Sequence, residues 1–568
     1  MLTVDKLAIS ISTESGVIQP IKDVSFSIKP SETFALVGES GSGKSIMAHS
    51  IAGLLPQGAA ISGGTIKLGQ ETLSDMSVKG LRQIRGKRIA MIFQNPMTSL
   101  NPLKCVGRQI MEPMIFHGLE SRKTAYERAL FLLNKLGLNN PSLVFKKYPH
   151  ELSGGQIQRV MIAAALSCNP ELLIADEPTT ALDTAVQRQV LDLLRAAQEQ
   201  FKMSMLFITH DLGVVADLAH EVGVIRNGVI EEQASTDIIF SMAQSNYTKG
   251  LLACRPPAEF RPQRLATMED FQNGRKIPRE TRPTIDSRAD SILSLQSISK
   301  SFGKKNYLLR KSTLGIQALN SLSLKVRKSV NLGVVGASGS GKTTLAMAMA
   351  RLVNLDEGKI VFEGQDLSHH QQHQLKSFRR RVQYIFQDSY AALNPEWTIQ
   401  KIMMEPMVIH QYPGVGERQN KINSLLDQVG LDHLLLSKKP GQLSGGQRQR
   451  VCIARVLTLD PELIILDESV SALDVSTQAN ILNLLLYLQS CQDVTYVFVS
   501  HDLGLVKFFA DEIIVMDQGN IVEQGPSQEV FNEPQHDCTK ALIHAAPFLG
   551  KRSHAVLKEV YEWPNQDL

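Results

Sequence analysis

The sequence predicts an α/β chain built twice: two similar halves, each a parallel-sheet core carrying a helical insertion. Three observations point there. A series of short motifs appears twice in the same order, each half holds apolar runs of buried-strand length, and a Pro-rich stretch separates the halves. At roughly 100–200 residues per domain, 568 residues exceed one ordinary unit. Hydrophobic residues make up 43% and charged residues 20%, which supplies a large core and excludes disorder as the main state.

The repeat organises everything else. GESGSGKS at Gly38–Ser45 returns as GASGSGKT at Gly336–Thr343, and IFQN with Gln94 returns as IFQD with Gln387. LSGGQ at Leu152–Gln156 returns at Leu443–Gln447, LLIADE at Leu172–Glu177 as LIILDE at Leu463–Glu468, and FITHD with His210 as FVSHD with His501. The pairs Ser153/Ser444, Asp176/Asp467 and His210/His501 share one offset, so the indels sit early. A period of about 300 residues means duplicated domains, since solenoid repeats run to about 50. The first domain is expected at 1–255 and the second at 291–548. Between them, 256–290 carries Pro256, Pro257, Pro262, Pro278 and Pro283 among Arg and Asp, and reads as an extended linker. Residues 549–568 read as a polar tail.

Within each half the elements follow in order. FALVG and NLGVVG are short β-rich runs entering glycine loops, and IMAHSIAGLL and TLAMAMARLV are helical segments leaving them. LLIAD, LIILD, MLFITH and TYVFVS are continuous apolar runs, as expected of parallel strands covered on both faces. A helix-rich stretch lies between Gln94 and Leu152, and again between Gln387 and Leu443.

Composition narrows the function classes. Lys plus Arg number 60 and Asp plus Glu 56, a net charge of +4 that is too mild to argue for nucleic acid or a membrane surface. The longest apolar runs, Val160–Cys168 and Leu484–Leu488, fall short of the roughly 20 residues of a spanning helix. Asp5 interrupts any export signal at the N-terminus. Cys105, Cys168, Cys254, Cys452, Cys491 and Cys538 form no C-x-x-C pair, so reduced thiols are expected rather than a zinc or iron–sulfur site.

The chemistry begins at the glycine loops. G-x-x-x-x-G-K-[ST] turns consecutive N–H groups inward to cradle polyphosphate. The first loop is Gly38, Glu39, Ser40, Gly41, Ser42, Gly43, Lys44, Ser45 and Ile46; the second is Gly336, Ala337, Ser338, Gly339, Ser340, Gly341, Lys342, Thr343 and Thr344. Lys44 and Lys342 would neutralise β and γ phosphates, and Ser45 and Thr343 would put a hydroxyl on Mg²⁺. Asp176 and Asp467 end apolar strands, where a carboxylate holds Mg²⁺ through its waters. Glu177 and Glu468 beside them suit a base that orients water. Alone, an Asp-Glu pair is an ordinary solvated strand end; its distance from a phosphate loop changes that reading. His210 and His501 recur at strand ends and suit a γ-phosphate contact. Gln94 and Gln387 can reach both Mg²⁺ and water. LSGGQ is a second phosphate cradle at a helix start. Each half already has its own, so the economical geometry is head-to-tail, with each serine closing the other half's site.

This ordered set resembles the ATP-binding-cassette (ABC) ATPases, over nearly the whole chain. FQNPMTSLNP, YPHELSGGQ, ADEPTTALD and NYTKGLLA, with FQDSYAALNP, LSGGQRQR and HDCTKALIHAAP, are similar to ATP-binding subunits of peptide and nickel importers. The fused form is known among peptide, microcin C-type and glutathione importers. The resemblance implies two tandem P-loop NTPase cassettes, each a RecA-like core with a helical subdomain, binding ATP and Mg²⁺. It implies two integral-membrane permease subunits and a solute-binding protein as partners, and a peripheral place at the cytoplasmic face of a bacterial inner membrane. One site would comprise Lys44, Ser45, Gln94, Asp176, Glu177 and His210, closed by Ser444 and Gly446. The other would comprise Lys342, Thr343, Gln387, Asp467, Glu468 and His501, closed by Ser153 and Gly155. Asp183 and Asp474 would link the two, and segments 95–102 and 388–395 would receive the permeases.

Some residues depart from the family. Phe302 is placed to stack on adenine, whereas the first half offers Ile11. Ile157 stands where Arg is common, and Ser469 and Val470 where Pro-Thr is usual. None is a phosphate, metal or water ligand, so both sites are expected to hydrolyse ATP. His369, His370 and His373 read as a solvated helix face. The main rival is a twin-cassette translation factor acting on ribosomes; its long charged helical linker differs from the Pro-rich junction here.

Overall fold

The protein's structure, a computed structural model, describes residues 1–13, 16–94, 99–179, 183–278, 290–303, 316–371, 373–470, 473–546 and 554–561. Each half is a layered α/β unit. In the first, Thr33–Val37 runs parallel between Ser204–Thr209 and Glu221–Arg226, Leu172–Asp176 and Ile89–Ile92 extend the sheet on one side, and Val229–Ser235 closes the other edge antiparallel. The second half repeats that order with Leu332–Gly336 central, flanked by Thr495–Val499 and Glu512–Asp517, then Leu463–Asp467 and Val382–Ile385. The predicted apolar runs therefore form the sheets, and every residue of Thr33–Val37, Leu172–Asp176, Ser204–Thr209 and Leu463–Asp467 is buried. Strands covered by helices on both faces need no polar alternation.

A second, four-stranded antiparallel sheet accompanies each core: Leu2–Thr13, Gly16–Ile28, Ala59–Leu68 and Glu71–Thr72 in the first half, with Ser291–Phe302 and Ile316–Arg327 leading its counterpart. Its buried Leu2, Val4, Leu7 and Ile9 pack with Met47, Ala48 and Ile51 of the helix after the glycine loop. That helix is shorter than the apolar run predicts: Lys44–Ile51 and Lys342–Met349 stop where Gly53 and Arg351 take left-handed φ of +64° and +52°.

The helical insertion is Val106–Phe116, Arg122–Lys135 and Pro141–Lys146 in the first half, and Ile399–Ile409 with Val415–Gln428 in the second. Val106, Ile110 and Met114 recur on one buried face, and Val106 and Ile110 share a core with Ile157, Val160 and Met161 of the LSGGQ helix, Gly154–Leu166. The insertion thus carries the LSGGQ serine on a helix anchored to the core sheet.

Three further expectations change. The connector is not simply extended: Met268–Gln272 is helical, and Leu265, Ala266 and Ile277 are buried. Arg261 donates to Phe508 and Phe509 carbonyls and pairs with Asp511 at 2.7 Å, while Leu265 exchanges two hydrogen bonds with Asn483. Nor is the tail wholly polar. His554–Val560 is a helix whose Val556, Leu557 and Val560, with Tyr561, join the first half's core. Tyr561 accepts from the Ala266 N–H at 3.0 Å, and Lys249 pairs with Glu559 at 2.9 Å. Periodicity vanished there because few apolar residues, widely spaced, make these contacts. The connector's 279–289, with Pro283, and the tail's 547–553 and 562–568 lie outside the described residues. His369 and His373 are exposed in turns before Lys376–Arg381, so the histidine run is not on a helix.

Candidate functional site

Each glycine loop joins its central strand to a helix beginning at the loop lysine. Gly43 and Gly341 cap those helices with φ of +107° and +103°, a conformation L side chains rarely adopt. A Cβ on Gly38 would lie 2.2 Å from the Ile225 carbonyl, and one on Gly336 2.2 Å from that of Met516. The Lys44 ammonium donates to the Gly38 and Glu39 carbonyls at 2.8 and 2.7 Å; Lys342 does the same to Gly336 and Ala337 at 2.9 Å each. Burial lowers both lysines below their ordinary pKa, opposed by carboxylates around them. Those around Lys44 include Asp474, and those around Lys342 include Asp183, each from the other half. Ser42 and Ser340, at the same place in the two loops, have buried hydroxyls without a partner among the described residues. A native protein seldom leaves buried polar atoms orphaned, and a loop lined by inward N–H groups supplies the donors a phosphate would meet.

Around each loop the predicted side chains converge. Ser45 donates to Asp176 at 3.2 Å, and Thr343 to Asp467 at 3.4 Å. Gln94 reaches Glu177 at 2.9 Å, and Gln387 reaches Glu468 at 2.8 Å. His210 Nδ1 lies 3.2 Å from Glu177, and His501 Nδ1 3.6 Å from Glu468. Both glutamates hold left-handed backbone, φ +47° and +46°, while their N–H groups donate at 2.9 Å to Ile208 and Val499 on the adjacent strands. Such strain in a non-glycine residue needs surrounding structure to hold it; here it turns both carboxylates toward Gln and His. Burial opposes charge on the His210 and His501 rings, yet the neighbouring glutamates override it and both pKa values are raised. Glu468 is correspondingly lowered, chiefly by its bond to His501. Burial raises Asp176 and Asp467.

The halves meet at the opposite loops. Ser338 N–H donates to Asp183 at 3.0 Å, and the Ser476 hydroxyl lies within hydrogen-bond reach of both Glu39 and Asp474, with one proton to share between them. Gly38, Glu39 and His210 share a narrow pocket with Asp474 and Val475 of the other half. Residues 180–182 and 471–472 before these aspartates lie outside the described residues, as do 95–98 after Gln94. The LSGGQ serines are not drawn into these contacts. Ser153 and Ser444 are exposed and cap their own helices, each accepting from the N–H of Gln156 or Gln447. Gly155 and Gly446 pack near Val186 and Thr477 of their own halves. Phe302 is 47% exposed at a strand end, with Lys300 over its ring, and Ile11 is half-buried. Ile157 fills the core, whereas Arg448 at the matching place donates to the Leu443 carbonyl.

Two contacts escape motif reading. Tyr247, from NYTKGLLA, bonds the Glu39 carboxylate at 3.2 Å, and Tyr384 bonds Asp467 at 2.6 Å. Comparing the halves would have flagged both, because Cys538 and Met91 occupy the matching positions.

Two parallel-sheet cores with glycine loops, carboxylates at the strand ends and an LSGGQ helix start beside a helical insertion are the arrangement of tandem nucleotide-hydrolysing cassettes. The chain matches the ABC transporter family over residues 21–180 and 319–471, and the oligopeptide/dipeptide transporter C-terminal region over 522–563. It belongs to the ABC transporter family and is an ATP-binding ATPase of that family. It is 42% identical to the peptidoglycan transport ATP-binding protein YejF of Agrobacterium fabrum, over 96% of both chains. It is 40% identical to the glutathione import ATP-binding protein GsiA of Escherichia coli O6:H1, over 96% of this chain and 89% of that one. Among solved structures it is similar to the dimeric post-hydrolysis state of the ATP-binding cassette MJ0796 bound to ADP and Pi, at 29% identity, 42% of this chain, 99% of that chain and a TM-score of 0.39. Among the described residues no helix is long and apolar enough to cross a membrane.

Proposed function

We propose that this chain energises uptake of peptides or related small solutes by hydrolysing two ATP between its halves. The carrying observation is the duplicated cluster of Gln94, Glu177 and His210, and Gln387, Glu468 and His501, each beside a phosphate loop. In this reading Lys44 and Lys342 hold β and γ phosphates. Glu177 and Glu468 orient the attacking water and take its proton, and His210 and His501 face the γ phosphate. Ser153 with Gly155, and Ser444 with Gly446, close the opposite sites when ATP is bound. Phe302 stacks on one adenine.

The donor set fits Mg²⁺. Ser45, Asp176 and Gln94, and Thr343, Asp467 and Gln387, offer only hard oxygen ligands, few enough that substrate phosphates complete the shell. Bound there, the ion neutralises charge on the phosphate oxygens. ATP contacts both halves and holds them together; hydrolysis removes that link and lets them part.

One relative is named for peptidoglycan transport and the other for glutathione import, and both of those compounds contain peptide bonds, which supports a peptide-like solute. The C-terminal transporter region argues for an importer over a ribosomal factor. The division 1–255, 256–290, 291–548 and 549–568 is retained as a working scheme, with the connector and tail as docking pieces. Two permease subunits and a solute-binding protein would complete the machine at the cytoplasmic membrane face. Segments 95–102, of which 99–102 is described and leads to exposed Leu103, and 388–395, which contains exposed Tyr390, are the surfaces offered to the permeases. Co-purification from detergent extract tests this. Membrane subunits should accompany the chain, and its ATP turnover should rise when they and a loaded solute-binding protein are supplied. Recovery with ribosomal proteins and no response to permeases would overturn it.

A further inference from the structure

The two sites differ at one side chain that no motif names. Tyr384 lies in the strand Val382–Ile385, and its hydroxyl donates to Asp467 Oδ2 at 2.6 Å. The other oxygen, Oδ1, receives the Thr343 hydroxyl at 3.4 Å. Asp467 is therefore gripped from two sides. In the first half the matching residue is Met91, whose thioether has no proton to donate, and Ser45 is the side chain donating to Asp176. The Tyr384 ring lines a cavity of about 270 Å³ with Phe386, Glu405, Pro406, Ile409 and Arg455, in the cleft between sheet core and helical insertion.

We infer that Tyr384 is a positioning residue for the second ATP site: its hydroxyl fixes the Asp467 carboxylate that holds Mg²⁺, which makes the two sites unequal in metal requirement. This rests on the proposed Mg-ATP sites. A partner of a metal-holding carboxylate orients it and keeps one lone pair occupied, and loss of such a partner costs roughly tenfold or more in metal affinity.

The test uses the full chain carrying Glu177→Gln and Glu468→Gln, so that bound ATP persists. Equilibrium dialysis against saturating labelled ATP counts nucleotides per chain as Mg²⁺ is raised. Adding Tyr384→Phe, which keeps the ring, should move the Mg²⁺ midpoint for one of the two nucleotides upward by roughly tenfold and leave the other unmoved. Unchanged midpoints overturn the role, and so does an equal shift of both, which is the signature of a general structural effect. A parent chain that binds no ATP at any Mg²⁺ concentration overturns instead the site reading beneath it.

Discussion

Replacing Glu177 or Glu468 by Gln lowers turnover at the altered site by about 10²–10⁴-fold, the usual contribution of a positioned general base. The amide keeps the shape and the reach to Gln94 or Gln387 but cannot accept the proton of the attacking water. ATP binding is expected to persist, since the change leaves each loop lysine with its own pair of loop carbonyls. The geometry at the two sites is nearly superimposable: a left-handed glutamate, a glutamine below 3 Å and a histidine at 3.2 or 3.6 Å. Both single variants should therefore depress phosphate release by the whole chain. Phosphate release at essentially wild-type rate in one of them would show that its site does not hydrolyse.

Lys44→Ala and Lys342→Ala should each weaken ATP binding at their own site by about tenfold to a hundredfold, because hydrogen bonds to charged groups contribute about 1.5–3 kcal/mol. Each ammonium is buried and now satisfies two loop carbonyls. Those carbonyls hold the lysine poised over the loop, and phosphate oxygens offer it stronger, charged acceptors. Labelled-ATP dialysis at fixed Mg²⁺ reads the effect. One nucleotide per chain should be lost first in either variant, whereas unchanged affinity would detach the lysines from the phosphates.

Much of this was legible before any coordinates. The strands LLIAD and LIILD were readable because full burial leaves an unbroken apolar run, and the glycine loops because their chemistry fixes residue types at fixed spacing. Convergence of Gln94, Glu177 and His210 is what the family resemblance implies; the repeat by itself shows only that the same three residues recur in the same order. Spacing alone could not show that both glutamates adopt a left-handed backbone, which depends on N–H bonds to Ile208 and Val499 far along the chain.

What was missed is long-range and carried by few residues. The antiparallel sheets alternate weakly and are broken by register shifts, so Leu2, Val4 and Leu7 give a poor periodic signal. Among the described residues, the apolar part of the tail's contact with the first half is Val556, Leu557, Val560 and Tyr561, beside the Glu559–Lys249 pair. A composition reading averages those four over their polar neighbours. Tyr384 lies outside the quoted motifs and Tyr247 lies in NYTKGLLA without an assigned role, so their different counterparts, Met91 and Cys538, are what mark them. The head-to-tail expectation is met in part: Asp183 and Ser476 cross to the opposite loops, whereas Ser153 and Ser444 cap their own helices.

That last point directs the deciding measurement, because each ATP site is claimed to be completed by the other half. In the Glu177→Gln, Glu468→Gln chain with its native cysteines replaced, Ser444→Cys is paired with Ser40→Cys in one version and with Ser338→Cys in another, and disulfide formation is followed with and without ATP. ATP should drive the Ser444–Ser40 pair to cross-link and leave the Ser444–Ser338 pair unlinked. Cross-linking within the second half, or a Ser444–Ser40 link indifferent to ATP, would contradict the account.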